Sequence, residues 1–155
     1  MKNKIELTPI AFVKNNRIEK TDDHWNEIVS EIELAENIPT ESLDNIETFS
    51  HLEIIFYFDK ATKIVVGSEH PRGNKNWPKV GIFAQRKKNR PNHIGLTTVN
   101  LIKKVGRKLI VTNLDAINGT PIIDIKPVFE EFLPKGELKQ ADWSKELMKN
   151  YWKAK

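Results

Sequence analysis

Apolar positions in this chain fall in short runs. Most have the two-residue period of a half-buried strand and are separated by turn residues. Residues 5–13, with Ile5, Leu7, Ile10, Phe12 and Val13, read as an opening strand in which Pro9 marks an edge or a bulge. The stretch 25–34 carries two periods. Trp25, Ile28, Val29 and Ile32 have helical spacing, whereas Ile28, Ser30, Ile32 and Leu34 alternate with Glu31 and Glu33, so its second half is expected to be a strand. Residues 39–44 support at most a short helical turn. Residues 51–58, dense in aromatic and β-branched side chains, form the most strand-like run. Residues 67–78 read as a loop around Pro71, Gly73, Asn74 and Pro78, followed by a strand over 80–84. Segments 96–103 and 108–114 pair as a hairpin through Val105-Gly106-Arg107, and 121–125 is a short strand. Asp142 is placed to cap a final helix with Trp143, Leu147, Met148 and Tyr151 near one face. Many short strands and little helix predict a mainly β, single-domain barrel or sandwich.

Composition narrows the chemistry. A chain of 155 residues suits one domain that buries roughly 70% of its unfolded surface. No apolar run approaches the ~20 residues that span a bilayer, so no membrane partner is expected. The segment after Met1-Lys2-Asn3-Lys4 is interrupted by Thr8 and Pro9 and makes a poor signal peptide, which leaves the cytoplasm as the default location. With no cysteine, disulfides and thiolate chemistry are excluded. The glycines are all isolated, so neither a Rossmann fingerprint nor a P-loop is present. His24, His51, His70 and His93 lack ligand spacing, and no metal site is expected. No serine sits in a nucleophile elbow.

Charge is distributed unevenly. Residues 1–60 carry six bases and thirteen acids, whereas 61–155 carry nineteen bases and eight acids. From His70 to Leu114 there are eleven Lys and Arg and no acid, a footprint suited to phosphate. A lysine-rich solvated face is the bland reading of the same excess. Within the basic run, Arg86, Arg90 and Asn92 lie on a segment leaving a strand, with Pro91 fixing the backbone and Gly95 allowing a ligand to approach closely. A polar loop that merely braces the fold is the alternative. Asp115 and Asp124 are the only acids between His70 and Val128. Asp124 lies in the apolar run Ile122-Ile123-Asp124-Ile125, where a carboxylate must be paired or put to use, and Lys126 shares its face if the strand alternates. Asp22-Asp23-His24-Trp25 reads as a helix start or as acids that meet the basic loop of a second protomer.

Four segments carry a resemblance: Gly81-Ile82-Phe83-Ala84-Gln85-Arg86, Arg90-Pro91-Asn92-His93-Ile94-Gly95, Leu114-Asp115 through Gly119-Thr120-Pro121, and Asp124-Ile125-Lys126-Pro127. Together and in this order, with Phe49-Ser50-His51-Leu52 ahead of the aromatic strand, they resemble the TsaA-like, TrmO-type β-barrel methyltransferases, in a compact bacterial branch. The resemblance makes residues 1–155 one TsaA-like domain, with a core over about 5–127 and a carboxy-terminal extension over 128–155. It implies a homodimer that holds S-adenosylmethionine in a barrel. Arg86 would contact this cofactor, Leu96 would line its site, and Thr112, Asn113, Leu114 and Asp115 would approach its adenosine moiety. Asp59 and Lys60 match a further cofactor-contacting stretch. Asp124 and Lys126 would be catalytic, beside the acceptor, while Lys87, Lys88, Arg90 and Asn92 would bind RNA.

The family's characterised members methylate the exocyclic nitrogen of threonylcarbamoyladenosine beside a tRNA anticodon, so tRNA is the acceptor that the resemblance implies. The chain departs from the family pattern at Lys87-Lys88, where Ser-Pro is common, and at His93, where Pro is common. The larger bacterial enzymes add a carboxy-terminal domain that the 28 residues after Pro127 cannot form. A non-catalytic RNA-binding β-barrel is the alternative, as is a methyltransferase acting on a small metabolite or another RNA.

Overall fold

A computed structural model describes residues 3–26 and 28–155. Met1 and Lys2 of the amino-terminal segment and Glu27 of the 25–34 stretch lie outside the described residues. Six strands close an antiparallel barrel: β1 (Ala11–Lys14), β2 (Val29–Leu34), β3 (His51–Tyr57), β6 (Ile94–Val105), β7 (Lys108–Thr112) and β8 (Pro121–Pro127). Their order around the barrel is β1-β2-β7-β6-β3-β8. The remaining strands, β4 (Ser68–Glu69) and β5 (Val80–Gly81), form a separate two-stranded ladder within the β3–β6 connection. Among the described residues no helix is long and apolar enough to cross a membrane.

Alternation along the strands fills the barrel. Val13, Ile32, Leu52, Ile54, Phe56, Val99, Leu109, Val111 and Ile122 point inward and are buried, which the period of two requires of a half-buried strand. A bulge in β8 breaks this pattern, because Ile55 pairs with Asp124 whereas Phe56 pairs with Ile122. The extra residue reverses the alternation, so Ile122 and Ile125 both face the interior side while Asp124 and Lys126 face out. Without the bulge, the single carboxylate of this strand would point into the core.

Three sequence expectations are revised. The opening strand begins at Ala11, and residues 3–10 carry no ladder; Ile10 donates to the Ile122 carbonyl and accepts from the Ala35 amide. The strand expected over 80–84 ends at Gly81, and Ile82–Ala84 is a 3-10 turn that buries Ile82. The last helix, α1 (Asp142–Leu147), is capped by the Ala141 backbone; Asp142 is fully exposed and pairs with Lys145 at 3.6 Å, and Tyr151 lies beyond the helix. A six-residue helix is too short to present the predicted face.

Register places the long connections together. β3 ends beside the start of β6 (Tyr57 opposite Ile94), β7 ends beside the start of β2 (Thr112 opposite Val29), and β8 starts beside β1 (Pro121 opposite Phe12). The β1–β2, β3–β6 and β7–β8 connections therefore leave from one end of the barrel. At the other end, Arg107 in the tight β6–β7 turn donates to the Ala35 and Ile38 carbonyls (2.6 and 2.8 Å) and to the Thr40 hydroxyl (3.2 Å). Arg107→Ala leaves these acceptors unmet and is expected to cost about 2–3 kcal/mol, measured as a lower urea midpoint with unchanged slope.

Candidate functional site

The basic loop is built before it can bind anything. Gln85, nearly buried, donates through its amide to the Glu69 carbonyl (3.2 Å) and the Val80 carbonyl (3.1 Å), which ties the segment to the β4–β5 ladder. Arg90 donates to the Gln85 carbonyl at 2.7 Å, so part of its guanidinium braces the loop, as the alternative reading held. Lys87 is paired with Glu69, and burial lowers its pKa. Lys88 is half-buried and makes no ion pair among the described residues, and Asn92 is exposed. Asn92 and His93 both adopt positive φ (64° and 51°), a conformation that asparagine tolerates better than most residues. Gly95 is occupied rather than open: a Cβ there would stand 2.5 Å from the Phe56 ring. Its role is to admit this ring, not to admit a ligand.

Arg86 reaches across this loop to donate to the Leu96 carbonyl on β6. Its guanidinium has no carboxylate partner among the described residues, which leaves further donors for an anionic ligand. Leu96 points outward and is 45% exposed, whereas the next residue, Thr97, points inward and is buried. The Thr97 hydroxyl donates to one oxygen of Asp115, and the Tyr151 hydroxyl donates to the other. The β7–β8 connection delivers Asp115 through a left-handed Asn113 (φ 62°) and a fully buried Leu114. Leu114 is therefore a core residue, with neither side chain nor main chain exposed to a ligand. Asn113 bonds Asn100 at 3.2 Å, and Thr112 sits opposite both Asn100 and Val29. Tyr151 feels both the Asp115 carboxylate and, more weakly, the Arg86 cation; burial and Asp115 push its phenol well above the ordinary range. Arg86, Leu96 and Asp115 thus lie at the long-loop end, with Leu96 facing outward and Asp115 held by the inward-facing Thr97.

Asp59 and Lys60 follow β3 at the same end, paired with one another at 3.4 Å, and the Lys60 carbonyl accepts from Lys20. Asp124 and Lys126 stand on the outer face of the barrel as a 2.7 Å ion pair. The Lys126 pKa is raised by its hydrogen bond to Asp124 and by that charge. Register connects this pair to Leu96, which lies opposite Ile55, while Ile55 lies opposite Asp124. With strands about 4.8 Å apart, Asp124 and Leu96 share one outward row separated by roughly 10 Å. Asp22 and Asp23, read either as a helix start or as acids that meet a second protomer, begin no helix among the described residues and engage Arg72 of the same chain, at 3.7 and 2.9 Å.

Thr97, Glu69 and Tyr151 went unread as site residues. Thr97 is one more β-branched position in a strand, and Tyr151 lies 36 residues from the carboxylate that it bonds. Neither carries a local signal.

Residues 10–132 match the family model of the tRNA-methyltransferase O N-terminal domain. A human tRNA (adenine(37)-N6)-methyltransferase is 38% identical over 96 residues, which is 62% of this chain and 22% of that protein. A probable S-adenosyl-L-methionine-binding protein of Methanocaldococcus jannaschii is 35% identical over 82% of this chain and 94% of its own length. The crystal structure of TrmO from Pseudomonas aeruginosa shares the fold, with a TM-score of 0.73 and 24% identity over 88% of this chain and 61% of that one. The chain spans less than a quarter of the human relative and of a similar Archaeoglobus fulgidus protein. It belongs to the family of the tRNA-methyltransferase O N-terminal domain.

Proposed function

We propose that this chain is a methyltransferase that uses S-adenosylmethionine and acts on tRNA, at N6 of adenine 37. The observation that carries the reading is the shared outer row, with Arg86 anchored at Leu96 and Asp124 two strands away. Family membership supports it, as do the printed activities of the relatives.

The donor set fits the cofactor. Arg86 has free guanidinium donors for the carboxylate of the methionine moiety, Leu96 offers an apolar wall, and Asp115 can accept from hydroxyl or amino groups. Thr112 and Asn113 lead through the buried Leu114 to Asp115, and Asp59 and Lys60 border the same end. When bound, S-adenosylmethionine supplies an electrophilic methyl group. The protein's work is then alignment, which contributes up to ~7–11 kcal/mol in favourable cases. The acceptor nitrogen becomes acidic as it gains the methyl group, and Asp124 takes the proton that it releases. Lys126 remains protonated and balances Asp124. Lys88, Arg90 and Asn92 face the RNA; Lys87 contributes less, because Glu69 neutralises it.

A tRNA acceptor implies a cytoplasmic site of action. A homodimer is part of the proposal: Leu96 and Phe83 are 45% and 78% exposed, and a second copy would cover apolar surface beside Arg86.

Calorimetric titration with S-adenosylmethionine tests the reading. Arg86→Ala is expected to weaken binding at least 10-fold, the loss of a charge-assisted contact. Equal affinity in the variant, or no binding by the folded parent protein, would overturn it.

A further inference from the structure

Residues 133–155 of the carboxy-terminal tail, which lie beyond the residues that match the family model, enter the site just described. It leaves β8 at the far end of the barrel and returns to the long-loop end. Contacts along its length seat it there, among them the His24 ring against the Lys153 and Ala154 carbonyls (3.2 and 3.1 Å). The Glu146 carboxylate accepts from the Trp77 indole, the Asn150 carbonyl accepts from the His24 amide (3.1 Å), and the Tyr151 carbonyl accepts from the Trp25 amide (2.9 Å). Trp25 is itself immobilised: it is buried, the Arg17 guanidinium lies 3.7 Å above its ring, and its indole donates to the Asp22 carbonyl at 3.1 Å. The Tyr151 backbone is thus fixed to a rigid wall, and its hydroxyl is aimed at Asp115.

We propose that Tyr151 is a positioning residue of the cofactor site, its hydroxyl fixing the Asp115 carboxylate in the orientation that receives the adenosine moiety. The proposal rests on the reading that Asp115 belongs to that site. A carboxylate on a fixed backbone keeps torsional freedom about its own bonds, and that freedom must be lost when it accepts a ligand hydrogen bond. Thr97, from β6, holds one oxygen, and Tyr151, from the tail, holds the other. Two donors on different oxygens set the plane of the group. Each oxygen keeps a second lone pair for a ligand hydroxyl or amine. Tyr151 suits this task because its environment keeps the phenol protonated, so it remains a donor across the working pH range. Serine or threonine on the same backbone would fall short of Asp115.

The test is a set of calorimetric titrations of the full chain with S-adenosylmethionine. Tyr151→Phe, which removes one oxygen and keeps the ring, is expected to raise Kd about 10-fold, in the range for a hydrogen bond to a charged group. Glu146→Ala removes the acceptor for the Trp77 indole, perturbs tail docking away from Asp115 and is expected to change Kd less than twofold. In an Asp115→Ala background, Tyr151→Phe is expected to have no further effect, because the two act as one unit. Asp115→Ala alone separates the two ideas. If it weakens binding while Tyr151→Phe does not, the positioning role is overturned and the cofactor reading stands. If Asp115→Ala leaves Kd unchanged, Asp115 is not a cofactor residue, and the role of Tyr151 falls with it. If Glu146→Ala is as damaging as Tyr151→Phe, tail docking alone explains the effect and the hydroxyl has no specific part.

Discussion

Replacing Gly95 by alanine is expected to destabilise the barrel by about 2–3 kcal/mol, and valine there is expected to cost more. Gly95 sits directly opposite Phe56 in the β3–β6 ladder. A Cβ at this position would stand 2.5 Å from two atoms of the Phe56 ring, well inside any carbon–carbon contact distance. The ring has little room to retreat, since Phe56 is buried and packs edge-on against Phe58 at 5.1 Å. The remaining way to relieve the clash is to move the start of β6. That start carries the Leu96 carbonyl, which anchors Arg86, and the Thr97 hydroxyl, which holds Asp115. A packing change at one glycine should therefore weaken S-adenosylmethionine binding as well as lower the urea midpoint. Trimming the opposing side chain distinguishes this mechanism from a general loss of strand propensity. Gly95→Ala is expected to cost measurably less in a Phe56→Leu background, and equal costs in the two backgrounds would rule out the clash.

This glycine shows what the sequence conveys and what it withholds. The period of two located β2, β3 and the β6–β7 hairpin closely, because each strand buries one face against a single interior and alternation is then obligatory. Alternation could not reveal the bulge in β8, where one inserted residue turns Asp124 outward. The sequence marked Asp124 as an acid requiring a partner and named Lys126, and the two do form a pair. Arg86 was legible as a basic side chain in a motif, but its anchoring at Leu96 depends on how the long β3–β6 connection folds back. Gly95 was noticed for the right physical property, small size, and assigned the wrong neighbour. The occupant is a side chain on another strand, 39 residues earlier, and no local pattern encodes that contact. Tyr151 is the extreme case: its approach to Asp115 is set by the backbone bonds of His24 and Trp25 to the tail, which side-chain patterning does not register.

Asp124→Asn is expected to lower the rate of methyl transfer about 10²–10⁴-fold, the usual contribution of a positioned base, while leaving S-adenosylmethionine affinity within twofold. The separation of effects follows from placement. Asp124 lies two strands from Leu96 along the outward row, so it is removed from the Arg86 anchor, and the proposed function puts the acceptor beside it. Asparagine preserves its size and can still accept the Ile125 amide, which Asp124 accepts at 2.9 Å, so local backbone geometry should persist. In the parent chain the hydrogen bond to Asp124 and the charge of that carboxylate hold Lys126 protonated, and without them it is still a lysine, charged at neutral pH and a poor replacement base. Removing the negative charge leaves Lys126 unpaired beside an acceptor nitrogen that is gaining positive charge. That repulsion adds to the loss of the proton acceptor. Single-turnover methyl transfer to tRNA at saturating cofactor isolates the chemical step from product release. A slow variant with normal cofactor affinity would place Asp124 at the acceptor. A variant that transfers at the parent rate would show that the proton leaves directly to water, and that Asp124 and Lys126 are a structural ion pair on the barrel surface.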